Sequence, residues 1–404
     1  MKLLIAGLGP VCHLKSMRPG HSELKETFFY FLRLGFFGFG GPLALVAAMQ
    51  RDLINKRRWM NPDEFVRTFA LIKAMPGPVA FQTAVYLGNH RAGWLGGTAA
   101  ALALNGPPFV MMVLFGIFYQ QWREFEISQI FLLGMQAAAL GVILASLKGL
   151  AEGFWRRSVF WIIAIVVAIM TAYSPAAEPV LIVGSGLLVV VAKNLQEGGR
   201  LPSWLNRMKF SFAPLLLSVP LIPALPAAFS RLPLVFWYCF KAGAFVFGSG
   251  LAIVPIMEHD FVTHQGWLTQ QEFMDALAFG QITPGPVMIT ATFIGYKSAG
   301  FMGAVAATVA VFLAPFIHMT TWFPRFVGRL ARQNWITPFL TGAISAVVGA
   351  IVATVFQLGM VLDEKPLTLP LLFGTLLVAL WGRLPVWVII PLGGVVMAAV
   401  KVWI

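Results

Sequence analysis

The chain has 404 residues, of which 58% are hydrophobic and only 11% are charged. This leaves too little polar surface to cover a soluble globule of this size, so the chain is expected to lie in a lipid bilayer. The net charge of +13 does not indicate a nucleic acid partner, because the basic residues stand mostly in short loops between apolar segments, an arrangement that orients membrane proteins.

Apolar segments recur along the chain, six in each half around one linker segment, which gives thirteen candidate membrane segments. They lie near residues 27–50, 64–88, 93–119, 129–147, 158–173, 179–192, 212–230, 233–257, 273–296, 300–322, 337–361, 367–381 and 385–402. The first two segments of each half are interrupted by glycine and proline.

The interruptions are Gly-rich or Pro-Gly-Pro sequences. They lie at residues 38–42 and 76–78 in the first half, and at residues 247–250 and 284–286 in the second. Proline removes a backbone donor and disfavours helix at the residue before it, so each Pro-Gly-Pro sequence should break a helix at mid-depth in the bilayer. The freed backbone groups then need protein, water or a ligand as partners.

The interrupted segments belong to an internal duplication. Residues 33–79 align with residues 241–287 at a constant offset of 208 without a gap, and 17 of the 47 positions are identical. Many matched positions are glycine, proline or aromatic, which is typical of transporters built from internal repeats with broken helices.

The charged loops indicate whether the four interrupted segments cross the bilayer. If all thirteen segments cross and the N-terminus is cytoplasmic, the basic loop at 51–58 lies outside, and the loop at 258–272, which has no lysine or arginine, lies inside. Both placements violate the positive-inside rule. Both loops obey it if the interrupted segments are re-entrant hairpins. We therefore expect nine full spans and four re-entrant segments, with thirteen spans as the alternative.

The predicted fold is an all-α polytopic membrane protein with two inverted-topology repeats and broken, re-entrant helical hairpins. In both topologies an odd number of spans separates equivalent points, so the second copy is inverted. The expected division is a cytoplasmic N-terminal segment at 1–26, a transmembrane repeat at 27–193, a linker with one transmembrane helix at 194–232 and the inverted repeat at 233–404.

Inverted pairs of broken helices should bring several helix ends together near the midplane. Unpaired N–H groups at helix N-termini carry partial positive charge and bind anions. Gly77 and Gly285 occupy the centres of the Pro-Gly-Pro breaks, where the backbone can approach a ligand closely. The alternative is that these glycines only allow tight helix packing. The anion-binding candidates are Arg33, Gly40, Gly41, Lys73, Gly77, Lys241, Ser249, Thr283 and Gly285.

Three of these candidates are cations inside apolar segments, where a charge is costly and usually has a partner or a function. Arg33 and Lys241 occupy equivalent repeat positions, whereas Lys73 is replaced by Gln281 in the second copy. Facing a polar cavity, they would offer a dianion charge-assisted hydrogen bonds. The alternative is that these side chains extend to the membrane interface.

Four carboxylates that recur between the copies are candidates for coupling or gating: Asp52, Asp260, Glu64 and Glu272. Each lies close to the end of an apolar segment. A structural role in a first helical turn is the alternative, since Glu64 closely follows Asn61-Pro62, a helix-start sequence. The histidines and cysteines show no metal-ligand spacing and no nucleotide-binding glycine motif is present, so neither a metal nor another cofactor is expected.

Three motifs occur once in each half. They are FGGP at 39–42 and FGSG at 247–250, PGP at 76–78 and 284–286, and D-x(6)-W-x(4)-E-F starting at Asp52 and Asp260. They resemble the chromate ion transporter family in its long, two-domain form. The resemblance implies secondary export of chromate across the bacterial inner membrane, chromate resistance and competition by sulfate, a similar dianion. The oligomeric state is left open, although a homodimer is common among such transporters.

On this resemblance, a chromate or sulfate dianion is expected between the hairpin tips. N–H groups after Gly40 and Gly77 would bind it, and Arg33, Lys73 and Lys241 would supply positive charge. The second copy has Gln281 in place of Lys73 and Ser249 in place of Gly41, which predicts that the first half carries more of the anion chemistry.

Three other functions stay open at this point. A transporter of sulfate or another oxyanion, or a passive anion channel, could use the same helix ends. A membrane-embedded enzyme could use Asp52, Glu64, His259 and Asp260 as acid and base groups. No histidine is matched between the repeats and no nucleophile–base spacing appears, so an enzyme is not expected.

Overall fold

The computed structural model describes residues 20–173, 178–196, 227–247, 250–330 and 333–403. Within these ranges the chain forms fifteen α-helices, joined by short turns and by brief 3₁₀ and π-helical stretches, and no β-strand. Large apolar side chains such as Phe356 and Leu377 are exposed on the outside of the helices, as lipid-facing residues are. The prediction of an all-α polytopic membrane protein is confirmed.

The first half contains helices α1 to α7. They are α1 His21–Phe37, α2 Gly41–Met49 with a π-helical extension Gln50–Lys56, α3 Pro62–Ile72, α4 Val79–Glu124, α5 Glu126–Ala151, α6 Ser158–Tyr173 and α7 Glu178–Gln196. The gaps between α1 and α2 and between α3 and α4 coincide with the predicted breaks.

The second half contains helices α8 to α15. They are α8 Ala227–Phe245, α9 Ile253–Glu258 with a 3₁₀ turn Gly250–Ala252 before it and a π-helical extension His259–His264 after it, α10 Gln270–Ile282, α11 Thr290–Thr320 preceded by the 3₁₀ turn Val287–Ile289, α12 Phe323–Leu330, α13 Ile336–Val361, α14 Lys365–Trp381 and α15 Val386–Trp403. The breaks in this half fall between α8 and α9 and after α10.

Ion pairs show that the first two broken elements return to the surface from which they start. Arg57, just after the extension of α2, lies 3.0 Å from Glu26 in the second turn of α1. Arg91 lies 3.3 Å from Glu23 and 3.2 Å from Glu26. The start of α1, the loop after α2 and residue 91 of α4 therefore share one surface. α1 with α2, and α3 with residues 79–91, have the geometry of re-entrant hairpins.

Helices α4 and α11 each fold back at an Ala-Gly pair. Ala92 and Gly93 have φ of −138° and +61°, and Ala299 and Gly300 have φ of −150° and +65°. The left-handed glycine turns the chain, and glycines before and after it, such as Gly88 and Gly96, touch across the turn. The long arms, residues 94–124 and 301–320, continue past the hairpins.

Six described helices are long and apolar enough to cross a membrane: α4, α5, α7, α11 with its 3₁₀ turn, α13 and α15. Helices α6 and α14 are shorter but apolar. These eight match eight of the nine predicted spans, and the ninth, near residues 212–230, falls largely outside the described residues. The count of nine spans stays a prediction.

The two halves interlock through glycine contacts at equivalent positions. Gly134 of α5 packs against the carbonyl of Gly393 in α15, and Gly342 of α13 packs against the carbonyl of Ser185 in α7. The two contacts are equivalent, because Gly342 lies 208 residues after Gly134 and Gly393 lies 208 residues after Ser185. Small residues let membrane helices approach closely. These matched contacts are what a duplication that extends through the last helices of each half predicts.

Candidate functional site

The helix breaks of the two halves are joined by two reciprocal hydrogen bonds. The Gly77 N–H donates to the Val246 carbonyl at 2.6 Å, and the Gly285 N–H donates to the Gly38 carbonyl at 3.2 Å. Gly285 is the repeat equivalent of Gly77, and Val246 is the equivalent of Gly38. Each Pro-Gly-Pro break therefore meets the glycine-rich break of the other half, as an inverted repeat predicts.

Both central glycines are required by backbone conformation. Gly77 and Gly285 have φ of +129° and +100°, which L-residues rarely adopt. A Cβ on Gly77 would lie 2.7 Å from Pro315 and 2.6 Å from the Gln82 amide nitrogen, whereas a Cβ on Gly285 would lie 3.2 Å from Pro108. The first break is therefore packed more tightly than the second.

Side chains beside the breaks donate hydrogen bonds to backbone carbonyl groups. Buried Gln82 donates from Nε2 to the Pro76 carbonyl at 2.6 Å. In the second half, the Thr283 hydroxyl donates to the Phe279 carbonyl at 2.7 Å. These bonds fix the breaks in a defined shape, because an unpaired carbonyl is costly inside a membrane protein.

Helix N-termini supply the donors that remain for an anion. The N–H groups of Gly77 and Gly285 are already bonded, and Pro78 has none. In α4 the next three residues, Val79, Ala80 and Phe81, are buried, and their N–H groups have no acceptor in the part of the chain that the structure describes. Helix α2 also begins directly after a break, where Gly40 and Gly41 both have positive φ. Ser249 lies outside the described residues.

The three predicted cations differ in their surroundings. Lys73 ends α3, is exposed, and has its ammonium 5.7 Å from the centre of the Phe69 ring. Arg33 is exposed on α1. Neither has an acidic partner among the described residues. Lys241, in contrast, lies 2.7 Å from both carboxylate oxygens of Asp260, so its charge is largely neutralised.

Three of the four carboxylate candidates form ion pairs, and one of these three also caps a helix. Asp52 lies 3.1 Å from Arg51 and 3.3 Å from Lys56, and the Arg51 hydrogen bond lowers the pKa of Asp52 below its usual value. Asp260 pairs with Lys241. Glu272 forms a capping box with Thr269 at the start of α10 and lies 3.0 Å from Lys297. These contacts of Glu272 agree with a structural role in the first turn of its helix.

Glu64, the fourth candidate, lines an open cleft of about 690 Å³. The cleft lies on the surface shared by the start of α1 and the loop after α2, and Arg58 and His90 also line it. Arg58 has a positive φ of 52°, uncommon for a non-glycine residue. Asn55 and Arg58 of the basic loop at 51–58 line this cleft.

A family model for chromate transporters matches residues 25–190 and 234–399, which covers both halves of the chain. The chain belongs to the chromate transporter family. Two family units in one chain agree with the long form identified from the repeated motifs.

Relatives of this chromate transporter family member span most of its length. A probable chromate transport protein of Synechococcus elongatus is 37% identical over 86% of this chain and 87% of the relative. Chromate transport proteins of Cupriavidus metallidurans and Pseudomonas aeruginosa are 34% and 30% identical, over 83% and 86% of this chain and 82% and 84% of the relatives. No solved structure is detectably similar.

This family member also contains a buried polar network that the sequence interpretation missed. Asp275 in α10 is fully buried and accepts hydrogen bonds from Tyr119 and Gln136. The signal was present, because Asp275 is an acid inside the apolar segment 273–296. In the first copy the equivalent position is Arg67, so matching between copies could not find it.

Proposed function

We propose that the protein is a secondary transporter that exports chromate from the cytoplasm across the bacterial inner membrane and so confers chromate resistance. Sulfate, a tetrahedral dianion of similar shape, would compete with chromate. The N-terminus would be cytoplasmic. The family membership and the names of full-length relatives support chromate as the substrate.

The observation that carries the proposal is the reciprocal pair of hydrogen bonds at Gly77 and Gly285. They hold breaks from both halves against each other, with helix N-termini nearby. Such termini bind oxyanions through backbone N–H groups. Two inverted halves joined at one point also fit alternating access, in which one half or its hairpins move against the other.

In the proposed site, N–H groups that follow Gly40 and Gly77 bind the dianion, and Arg33 and Lys73 supply positive charge. These two cations lack acidic partners among the described residues and so keep their full charge for a ligand. Lys241 is expected to contribute less, because Asp260 neutralises it. The first half would therefore carry more of the anion chemistry than the second.

Chromate accumulation in cells that express the protein tests this proposal. Cells with the wild-type protein should retain less chromate and grow at higher chromate concentrations than cells without it. Lys73→Ala and Arg33→Ala should each raise accumulation toward the level of empty cells, at equal protein abundance in the membrane. Unchanged export by both variants would show that these cations have no part in binding.

A passive anion channel is the second candidate, because helix N-termini can also line a pore. Purified protein in liposomes separates the two functions. A transporter shows saturable chromate flux that the gradient of a second ion drives uphill. A channel shows flux that only follows the chromate gradient and the membrane potential.

A further inference from the structure

Asp275 is a buried carboxylate with no cation in direct contact among the described residues. It lies in the second turn of α10, is 0% exposed, and accepts hydrogen bonds from the Tyr119 hydroxyl at 2.6 Å and the Gln136 amide nitrogen at 2.8 Å. Asp52, Asp260 and Glu272 each lie beside a lysine or arginine. An ionised carboxylate that has only neutral donors is costly inside a membrane protein, whereas the neutral acid is not.

The partners of Asp275 can serve both protonation states. Gln136 donates to Oδ1 of Asp275, and its own buried Oε1 has no partner among the described residues. Rotating that amide by a half-turn would present Oε1 as an acceptor for a protonated carboxyl group. The Tyr119 hydroxyl can likewise donate or accept. The site thus has a hydrogen-bonding arrangement for either state without movement of the backbone.

We propose that Asp275 is the group that binds and releases the coupling proton. This inference rests on the proposed function as a secondary transporter. The O–H bond forms with a proton taken from water on one side of the membrane, and the proton returns to water on the other side, so no further reactant is needed.

A series of hydrogen-bonded side chains connects Asp275 with the protein surface. Arg123 donates to the Tyr119 hydroxyl at 3.3 Å and to Gln271 at 2.9 Å, and Gln271 donates to exposed Asp363 at 2.6 Å. Only the side chains of Gln271 and Arg123 therefore separate water at this surface from the Tyr119–Asp275 hydrogen bond. This end of the molecule carries Lys297 and Glu272 and is opposite the surface with Arg57 and Arg91.

The charged and titratable groups that face Asp275 come from three helices. Helix α4 supplies Tyr119 and Arg123, and α10 supplies Glu272. Helix α11 supplies Lys297, whose ammonium lies 4.9 Å from the centre of the Tyr119 ring. Helix α5 contributes neutral Gln136. Helices α9, α13 and α15 also pack on α10, and none of them places a titratable side chain in contact with Asp275 among the described residues.

Helix α10 links the proton site to the second break. One turn after Asp275, Phe279 packs on Phe115 of α4, with ring centres 4.7 Å apart, and accepts the Thr283 hydrogen bond at the helix end. Adding or removing a charge at Asp275 changes how α10 packs on α4 and α5. The Pro-Gly-Pro break that follows α10 would then shift with the protonation state.

Purified protein in liposomes, with chromate as the probe, tests this inference. Chromate-for-chromate exchange needs no net proton movement, whereas accumulation under an imposed pH gradient does. Asp275→Asn should keep exchange within about twofold of wild type and lose at least tenfold in pH-driven accumulation. Asp63→Asn, an exposed acid in the first turn of α3, is the matched control and should keep both activities.

Each outcome of this experiment decides one question. Accumulation by Asp275→Asn at the wild-type level would overturn the inference, as would a wild-type protein that exchanges chromate but does not respond to a pH gradient. Absence of exchange in the wild type would instead refute the proposed function. If Asp275→Asn does not fold, Tyr119→Phe should move the pH midpoint of driven transport upward, because the ionised carboxylate loses a donor. An unchanged midpoint would overturn the inference.

Discussion

Lys241 and Asp260 form an ion pair, with the ammonium 2.7 Å from both carboxylate oxygens, whereas their repeat equivalents Arg33 and Asp52 do not pair with each other. Asp52 pairs instead with Arg51 and Lys56 at the surface. The duplication has therefore kept these positions while changing their use. The pair in the second half holds α8 against the extension of α9, whereas Arg33 has no acidic partner among the described residues, as the proposed anion site requires.

Removing the cation should lower stability in the second half and transport in the first. Lys241→Ala leaves the carboxylate of Asp260 buried and unpaired, which should destabilise the protein by about 3 kcal/mol. Arg33→Ala should change the free energy of unfolding by less than about 0.5 kcal/mol but impair chromate transport. Thermal unfolding in detergent and chromate flux measure the two effects. Equal destabilisation by both variants would contradict this asymmetry.

Lys73→Gln gives the first copy the residue of the second. Loss of a charge-assisted hydrogen bond to chromate costs about 1.5–3 kcal/mol, so the apparent affinity should fall roughly tenfold or more, with little change in stability. Arg67→Gln is the control, since exposed Arg67 lies on the same helix and, among the described residues, bonds only the Asp63 carbonyl, at 3.1 Å. An equal loss in both variants would indicate a general effect of surface charge.

Alanine at the central glycines should be tolerated unequally. Both positions have positive φ, so either substitution should cost about 1–2 kcal/mol in backbone strain. Gly77→Ala also forces its Cβ against Pro315 and Gln82, whereas Gly285→Ala meets Pro108 at 3.2 Å. We expect Gly77→Ala to unfold at a lower temperature than Gly285→Ala. The reverse order would show that the breaks are packed differently from the structure.

Cysteine accessibility tests the re-entrant topology. With Cys12 and Cys239 replaced by serine, single cysteines at exposed positions Asn55 and His264 report on the loops at 51–58 and 258–272. A membrane-impermeant thiol reagent should label His264→Cys in intact cells and Asn55→Cys only in inside-out vesicles. Labelling of Asn55→Cys from outside would favour thirteen spans.

Short-range sequence signals predict the helix ends at the breaks. Glycine and proline act on neighbouring backbone groups, so the breaks at 38–42, 76–78 and 284–286 lie where the described helices end. The family resemblance, read from the same motifs, is confirmed. The cap formed by Thr269 and Glu272 follows the same local logic, which is why a structural role for Glu272 could be considered from sequence alone.

Contacts between distant residues could not be read in this way. The bonds from Gly77 to Val246 and from Gly285 to Gly38 depend on how two halves pack, and the alignment says only that the positions are equivalent. The pairing of Lys241 with Asp260, and the lack of it at Arg33, depends on side-chain directions that one sequence does not contain. Asp275 differs from these cases, because an acid within an apolar segment is visible in the sequence itself.

The location of bound chromate tests the site most directly. Crystals of the protein with chromate, measured at the chromium absorption edge, would locate the metal of the oxyanion by anomalous scattering. We predict a peak where the breaks of the two halves meet, near the N-termini of α2 and α4 and on the side of Arg33 and Lys73. A peak only at distant surface positions would contradict the site.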